Sequence, residues 1–244
     1  MTIEQNGIVA LVGAGEFLPT MQPVDAYLLE QLRERSGNEG NGQTPRVAIV
    51  PAASAPDGEG VPQRWAKMGV EHFEQLGAVA EPVMLLTRED ADAPEIVERL
   101  RKANFVYFSG GKPRYLLETL TGSAAWQAIQ DIYRQGGVVA GCSAGAMVMG
   151  GALFDFPQVW RTLPALGLVP GIIVIPHFDE IPRAFSAPMT SGGRGLTVIG
   201  VDGGTGLIGV GTRWIVQGKG GVTVFTSKHK HCYTAGEEVA LERV

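Results

Sequence analysis

The chain has 244 residues, 45% hydrophobic and 18% charged, with a formal net charge of −5. That is enough apolar material for one sizeable domain spanning 1–244, and no repeat or linker divides it. The mildly acidic balance with dispersed lysines and arginines excludes the basic footprint of a nucleic-acid binder, and two cysteines make neither a disulfide framework nor a zinc site.

The opening MTIEQNG carries neither the basic segment nor the long apolar stretch of a signal peptide, so the cytoplasm is the expected location. GIVALVG (7–13) predicts a first strand, and VDAYLLEQLRER places Val24, Leu28 and Leu32 on one helical face behind Pro23. SGNEGNGQTP (36–45) predicts a polar loop. RVAIVPAAS predicts a strand, 61–76 a helix with Trp65, Met68, Phe73 and Leu76 inward, AVAEPVMLL a strand and 94–103 a helix. ANFVYFSGG, two helices across 113–135 and GGVVAG continue the alternation. Strands alternating with helices of this length imply right-handed βαβ crossovers, hence an α/β fold of three layers whose mostly parallel sheet is flanked by helices, flavodoxin-like in outline.

GGVVAGCSAGAMVMGG (136–151) is uncharged and approaches the length a bilayer requires, but its six glycines predict a buried strand, a tight turn and a short helix rather than a membrane span. Beyond residue 196, LTVIGVD, TGLIGVG, RWIVQG and GVTVFT predict short strands in an antiparallel meander.

In an open α/β sheet ligands sit outside the carboxyl ends of the strands, where three glycine-bearing loops should meet: GAGEF (13–17), SGGKP (109–113) and GCSAG (141–145). Gly141, Ser143 and Gly145 fit GxSxG between a strand and a helix, a turn that exposes the serine as a nucleophile and aims the N–H of Ala144 at a developing oxyanion. Cys142 occupies the x position and reads as a small buried hydrophobe. The hydroxyl needs a base. His177, directly after the apolar GLVPGIIVI, should reach the edge of the sheet that carries the elbow, whereas His72 reads as a half-buried helix histidine and His229 and His231 as solvated. The base needs a carboxylate: Asp155, in apolar GGALFDFP, is favoured, with Asp179 and Glu180 as alternatives that otherwise read as surface charge on an extended segment.

These residues resemble the cyanophycinase and aspartyl dipeptidase (dipeptidase E) family of serine peptidases, whose fold is similar to that of class I glutamine amidotransferases. The resemblance runs through LVGAGEF, VAIVPAAS, FSGGKPRYLLETL, VVAGCSAGAMVMGG, LGLVPGIIVIPHF and VIGVDGGTGLIGVG. It implies Ser143 as nucleophile, His177 as base and Gly111, beside Gly110, as a second oxyanion donor alongside Ala144. The implied reaction is amide hydrolysis through an acyl-enzyme on a small peptide or isopeptide, with no metal or cofactor and with a homodimer as a candidate assembly. Lys112 and Pro113 stand where the family carries Asp-Gln or Asn-Thr, and its arginine-rich stretch is reduced to Arg183 and Arg194. An acidic substrate group needs a cation, for which Lys112, Arg114 and Arg183 are the candidates.

Three other readings remain. An α/β-hydrolase esterase would take His229 or His231 as its late histidine, a non-catalytic descendant would keep the fold as a binding module, and an amidotransferase would use Cys142.

Overall fold

In the computed structural model, which describes residues 7–37, 44–155, 158–182, 195–226 and 230–241, five parallel strands form the centre. They are β1 (Ile8–Val12), β2 (Arg46–Val50), β3 (Val79–Pro82), β4 (Phe105–Phe108) and β5 (Val138–Cys142). β1, β4 and β5 are apolar at nearly every position because both their faces are covered. Ile8, Ala10 and Val12 of β1 pack into one core layer and Val9 and Leu11 into the other, the period of two that a pleated strand imposes.

The first layer lies under α1 (Gln22–Gly37) and α2 (Val61–Gln75), which contribute Val24, Leu28, Leu32 and Phe73. The second lies under α3 (Pro94–Arg101), α4 (Pro113–Leu120), α5 (Ala124–Arg134) and α6 (Ala144–Met149). Pro62, Pro94 and Pro113 sit at the first helical positions, where a missing N–H costs nothing. The Ser123 hydroxyl caps α5 by accepting the Trp126 N–H. This is the expected three-layer α/β arrangement.

The remaining strands depart from expectation. β6 (Ala152–Asp155) and β7 (Gln158–Pro164) form a hairpin that the mixed polar pattern of 158–164 did not announce. β8 (Ile172–Ile175), which leads to His177, is not in the central sheet: it pairs in parallel with β9 (Thr197–Val201). Nor do the strands after residue 196 make one meander. β10 (Thr205–Val210) crosses over to lie antiparallel on β1, and β11 (Arg213–Gly218) pairs with β10, giving the central order β11-β10-β1-β5-β4-β2-β3. β12 (Gly221–Phe225) and β13 (Lys230–Thr234) return to the second sheet, in the order β13-β12-β9-β8. The crossing has a physical cause: β1 would otherwise be an open edge, and the apolar TGLIGV covers it. A small core of Ala152, Phe154, Ile173, Ile175 and Val198 joins the hairpin to the second sheet. Among the described residues no helix is long and apolar enough to cross a membrane.

Candidate active site

The register of the central sheet brings three loops to one height. Val12 is opposite Cys142 and Phe108 opposite Gly141, so the chain leaves β1, β4 and β5 side by side, and the Ser143 N–H donates to Val12 O at 3.0 Å. Ser143 stands at the tip of the β5–α6 turn with φ 51° and ψ −110°, a strained conformation for a residue with a side chain. Its neighbours permit the turn: a Cβ on Gly141 would come within 2.5 Å of the Gly145 backbone, and one on Gly145 within 2.8 Å of Phe108. Only glycine allows helix and strand to approach so closely.

His177 reaches the site from β8. Its Nε2 lies 3.1 Å from Ser143 Oγ, the separation of a nucleophile and its base. On the other side of the ring, Nδ1 lies 3.4 Å from Glu180 Oε2. With Nδ1 protonated, the ring faces a carboxylate at one nitrogen and a hydroxyl at the other, the tautomer a general base requires. His177 is left-handed (φ 52°, ψ 36°) and 178–180 form a 3-10 turn, which brings residue 180 back under residue 177.

The structure therefore corrects the placement of Asp155. Its carboxylate is spoken for by Arg114 Nη1 at 3.4 Å and Arg161 Nε at 3.9 Å, while the carboxylate at the His177 ring is that of Glu180. Asp155 does have the partners that a mostly buried charge demands, but they are arginines. Asp179 turns elsewhere, its Oδ1 accepting the Gly203 N–H at 2.7 Å between β9 and β10. Gly204 N–H in turn donates to Ala14 O, so this contact ties the His177 segment to the loop after β1.

At the β4 loop, Gly110 and Gly111 play different parts. The Gly110 N–H donates to Glu16 Oε1 at 2.7 Å, which removes it from service to a substrate. Gly111 has φ 142° and lies against Ala53, whose carbonyl a Cβ would meet at 2.2 Å; the next N–H, of Lys112, donates to that carbonyl at 2.7 Å. The Gly111 N–H has no acceptor among the described residues, nor has that of Ala144, the first residue of α6. Lys112 Nζ pairs with Asp57 at 3.3 Å, and Arg114 pairs with Glu118 at 2.9 Å besides Asp155. Arg183, Arg194 and His229 lie outside the described residues. His231, on β13, sets its ring at a tilt to that of Tyr233, with centroids 4.4 Å apart, rather than meeting Ser143.

Two further corrections concern buried groups. Cys142 is fully buried as expected, but it is not merely apolar filling: its Sγ donates to Glu16 Oε2 at 2.9 Å. Burial, then the Glu16 carboxylate, push its thiol well above the ordinary value of 9.0, which disfavours the thiolate an amidotransferase nucleophile needs. His72 is buried rather than half-buried, with Nε2 at 2.8 Å from Asp25 Oδ2. Sequence reasoning missed Glu16, a carboxylate 6% exposed, because GAGEF reads as a glycine loop. The signal was there in a lone acid within a glycine-bearing loop expected at the carboxyl ends of the strands. Among the described residues no group of His, Cys, Asp and Glu could hold a metal ion.

Known proteins share this architecture. The model of peptidase family S51 matches residues 10–215. The uncharacterized peptidase PM1590 of Pasteurella multocida is 30% identical over 151 residues, 59% of this chain and 70% of that protein. The uncharacterized peptidase YgaJ of Bacillus subtilis is 26% identical over 174 residues, 70% and 68% of the two chains. Among solved structures, a peptidase from an acI-B1 Actinobacterium matches with a TM-score of 0.85 and 32% identity over 96% of this chain and 97% of its own. A putative peptidase E protein from Listeria monocytogenes, at 18% identity and a TM-score of 0.59 over 94% and 99%, shares the fold.

Proposed function

The chain belongs to peptidase family S51, and from that premise we propose that it is a serine peptidase that cleaves short peptides through an acyl-enzyme on Ser143. The observation that carries the reading is the 3.1 Å contact between Ser143 Oγ and His177 Nε2 at a strained elbow. Oγ attacks the scissile carbonyl carbon while its proton passes to His177 Nε2, and the oxygen that becomes negative accepts from the N–H groups of Ala144 and Gly111. Collapse breaks the C–N bond, and the amine departs with the proton from His177. Water then attacks the ester with His177 again as base, releasing the acid and restoring the hydroxyl. Glu180 steadies the imidazolium in both halves.

The favoured substrate carries an acidic residue on the amino side of the scissile bond. Lys112 supports this, since it directly follows Gly111, the proposed oxyanion donor, and its present partner Asp57 is a carboxylate that a substrate carboxylate would displace. The test is labelling with a fluorophosphonate probe, followed by mass mapping of the modified peptide, and a panel of dipeptides led by Asp, Ala and Lys. Modification of Ser143, lost in His177→Ala, and preference for the Asp-led peptides are expected. Folded wild-type protein that takes up no label overturns the peptidase reading, and equal cleavage of the three peptides overturns the substrate class alone.

A further inference from the structure

The loop between β1 and α1 carries two residues with positive φ. Gly15 has φ 87° and Phe17, a bulky residue, φ 62°. That twist sends Phe17 into an aromatic cluster, with ring centroids 5.0 Å from Tyr107 and 6.3 Å from Phe73. It turns Glu16 the other way, into the seam between the β4 and β5 loops. There the carboxylate is 6% exposed, and burying it is costly unless donors compensate. Two do, one from each loop: Gly110 N–H to Oε1 at 2.7 Å and Cys142 Sγ to Oε2 at 2.9 Å. An apolar side chain of similar volume would fill the seam without the desolvation cost, so the carboxylate is there for what it holds. What it holds is close-set: a Cβ built on Gly110 would lie 2.9 Å from Glu16 Oε1 and 3.3 Å from Ser143 Cβ.

Given the serine peptidase reading, on which this inference rests, we propose that Glu16 is a positioning residue of the oxyanion hole. By accepting from Gly110 and Cys142 at once, it fixes the spacing between the Gly110–Gly111 and Ser143–Ala144 segments, and so the spacing of the two N–H groups that receive the oxyanion. Hydrogen-bond donors of this kind work because they are preorganised at the place where charge develops, and an error of about 1 Å forfeits much of their effect. Glu16 touches neither substrate nor Oγ. It acts through the two loops.

The test uses a fluorophosphonate, whose reaction forms the Oγ–P bond, breaks the P–F bond to release fluoride and passes the Oγ proton to His177. Negative charge gathers on the phosphoryl oxygen, which must enter the same hole. The maximal labelling rate and the half-saturating probe concentration are measured separately, beside Tm. In Glu16→Ala the maximal rate is expected to fall by about 100-fold, the cost of a lost oxyanion donor, with the half-saturating concentration within about threefold. Glu16→Gln keeps an oxygen to accept the Gly110 N–H and is expected to stay within about fivefold of wild type. If Glu16→Ala does not fold, Glu16→Met, which fills the volume without an acceptor, takes its place with the same expectation. An unchanged maximal rate in Glu16→Ala or Glu16→Met overturns the proposal, as does a Glu16→Gln rate as low as that of the alanine variant. Absence of labelling in wild-type protein is a different result and overturns the peptidase reading itself.

Discussion

Ser143 and His177 meet at 3.1 Å, and both do so from backbone with positive φ, 51° and 52°. Among the described residues only Phe17 shares this feature outside glycine. Left-handed backbone costs a side chain of order 1–3 kcal/mol, and here the cost falls on the two groups that react together in the proposed mechanism.

Removing the side chain at the elbow should therefore release strain. Ser143→Gly is expected to be inert to a fluorophosphonate yet more stable by about 1 kcal/mol, a rise of roughly 2–4 °C in Tm for a chain of this size. Scanning calorimetry checks this, and a Tm at or below the wild-type value would show the turn to be unstrained.

Glu180 and Asp155, the two carboxylates considered for the triad, separate cleanly by mutation. Glu180→Gln keeps the size but not the charge at His177 Nδ1, and is expected to lower kcat about 10- to 100-fold with KM little changed, less than for a buried acid because Glu180 is open to water. Asp155→Asn, which alters the arginine contacts, should leave kcat within about threefold. Steady-state kinetics on the preferred dipeptide decide between them.

His72 and Asp25 are a buried pair at 2.8 Å, and breaking it leaves a lone acid in an apolar layer. His72→Leu is expected to cost about 3–5 kcal/mol in urea unfolding at pH 7.5, and the double variant Asp25→Leu/His72→Leu to recover much of it. Burial already raises the Asp25 carboxyl above its usual 3.8, with His72 opposing, and without His72 it rises further. A carboxyl raised in the folded state favours folding when protonated and loses that advantage as pH rises through its folded value. The cost of His72→Leu should thus be smaller at pH 5 than at pH 7.5.

Cys142 and Cys232 should differ in reach. Ellman's reagent is expected to titrate one thiol, Cys232, in native protein and both in guanidinium chloride. Because the folded Cys142 thiol holds its proton well above 9.0, only the unfolded chain ionises there near that pH, so this group's contribution to stability falls as pH rises beyond about 9. The slope approaches about 1.4 kcal/mol per pH unit, and Cys142→Ala should remove that component from urea unfolding measured between pH 9 and 10.

The layered α/β framework was legible because apolar runs alternated with helical patterns, and the elbow because glycines flank Ser143 at the spacing a strand-to-helix turn requires. The route to His177 was not: β8 belongs to a second sheet, and no local pattern tells which sheet an apolar strand of four residues will join. An extended segment, in which neighbouring side chains diverge, would carry Glu180 away from the His177 ring. The chain instead takes a left-handed residue and a 3-10 turn at 177–180, and in that turn residues three apart eclipse. Glu16 stayed hidden because its partners, Gly110 and Cys142, lie 94 and 126 residues away along the chain.

The turn at 177–180 divides the assembly of the site into a local and a long-range part. His177 and Glu180 come together by closing a loop of three residues, which costs the chain little and depends on no other strand. The contact between His177 and Ser143 depends on two sheets standing against each other, through the apolar layer that Val174, Ile199 and Val201 share with Val139 and Leu207 and through the Asp179–Gly203 hydrogen bond. Loosening of that junction would separate the proposed nucleophile from its base while His177 keeps Glu180 beside it. Under the proposed mechanism such a chain would fall silent and recover by redocking alone, without rebuilding its proton-handling pair.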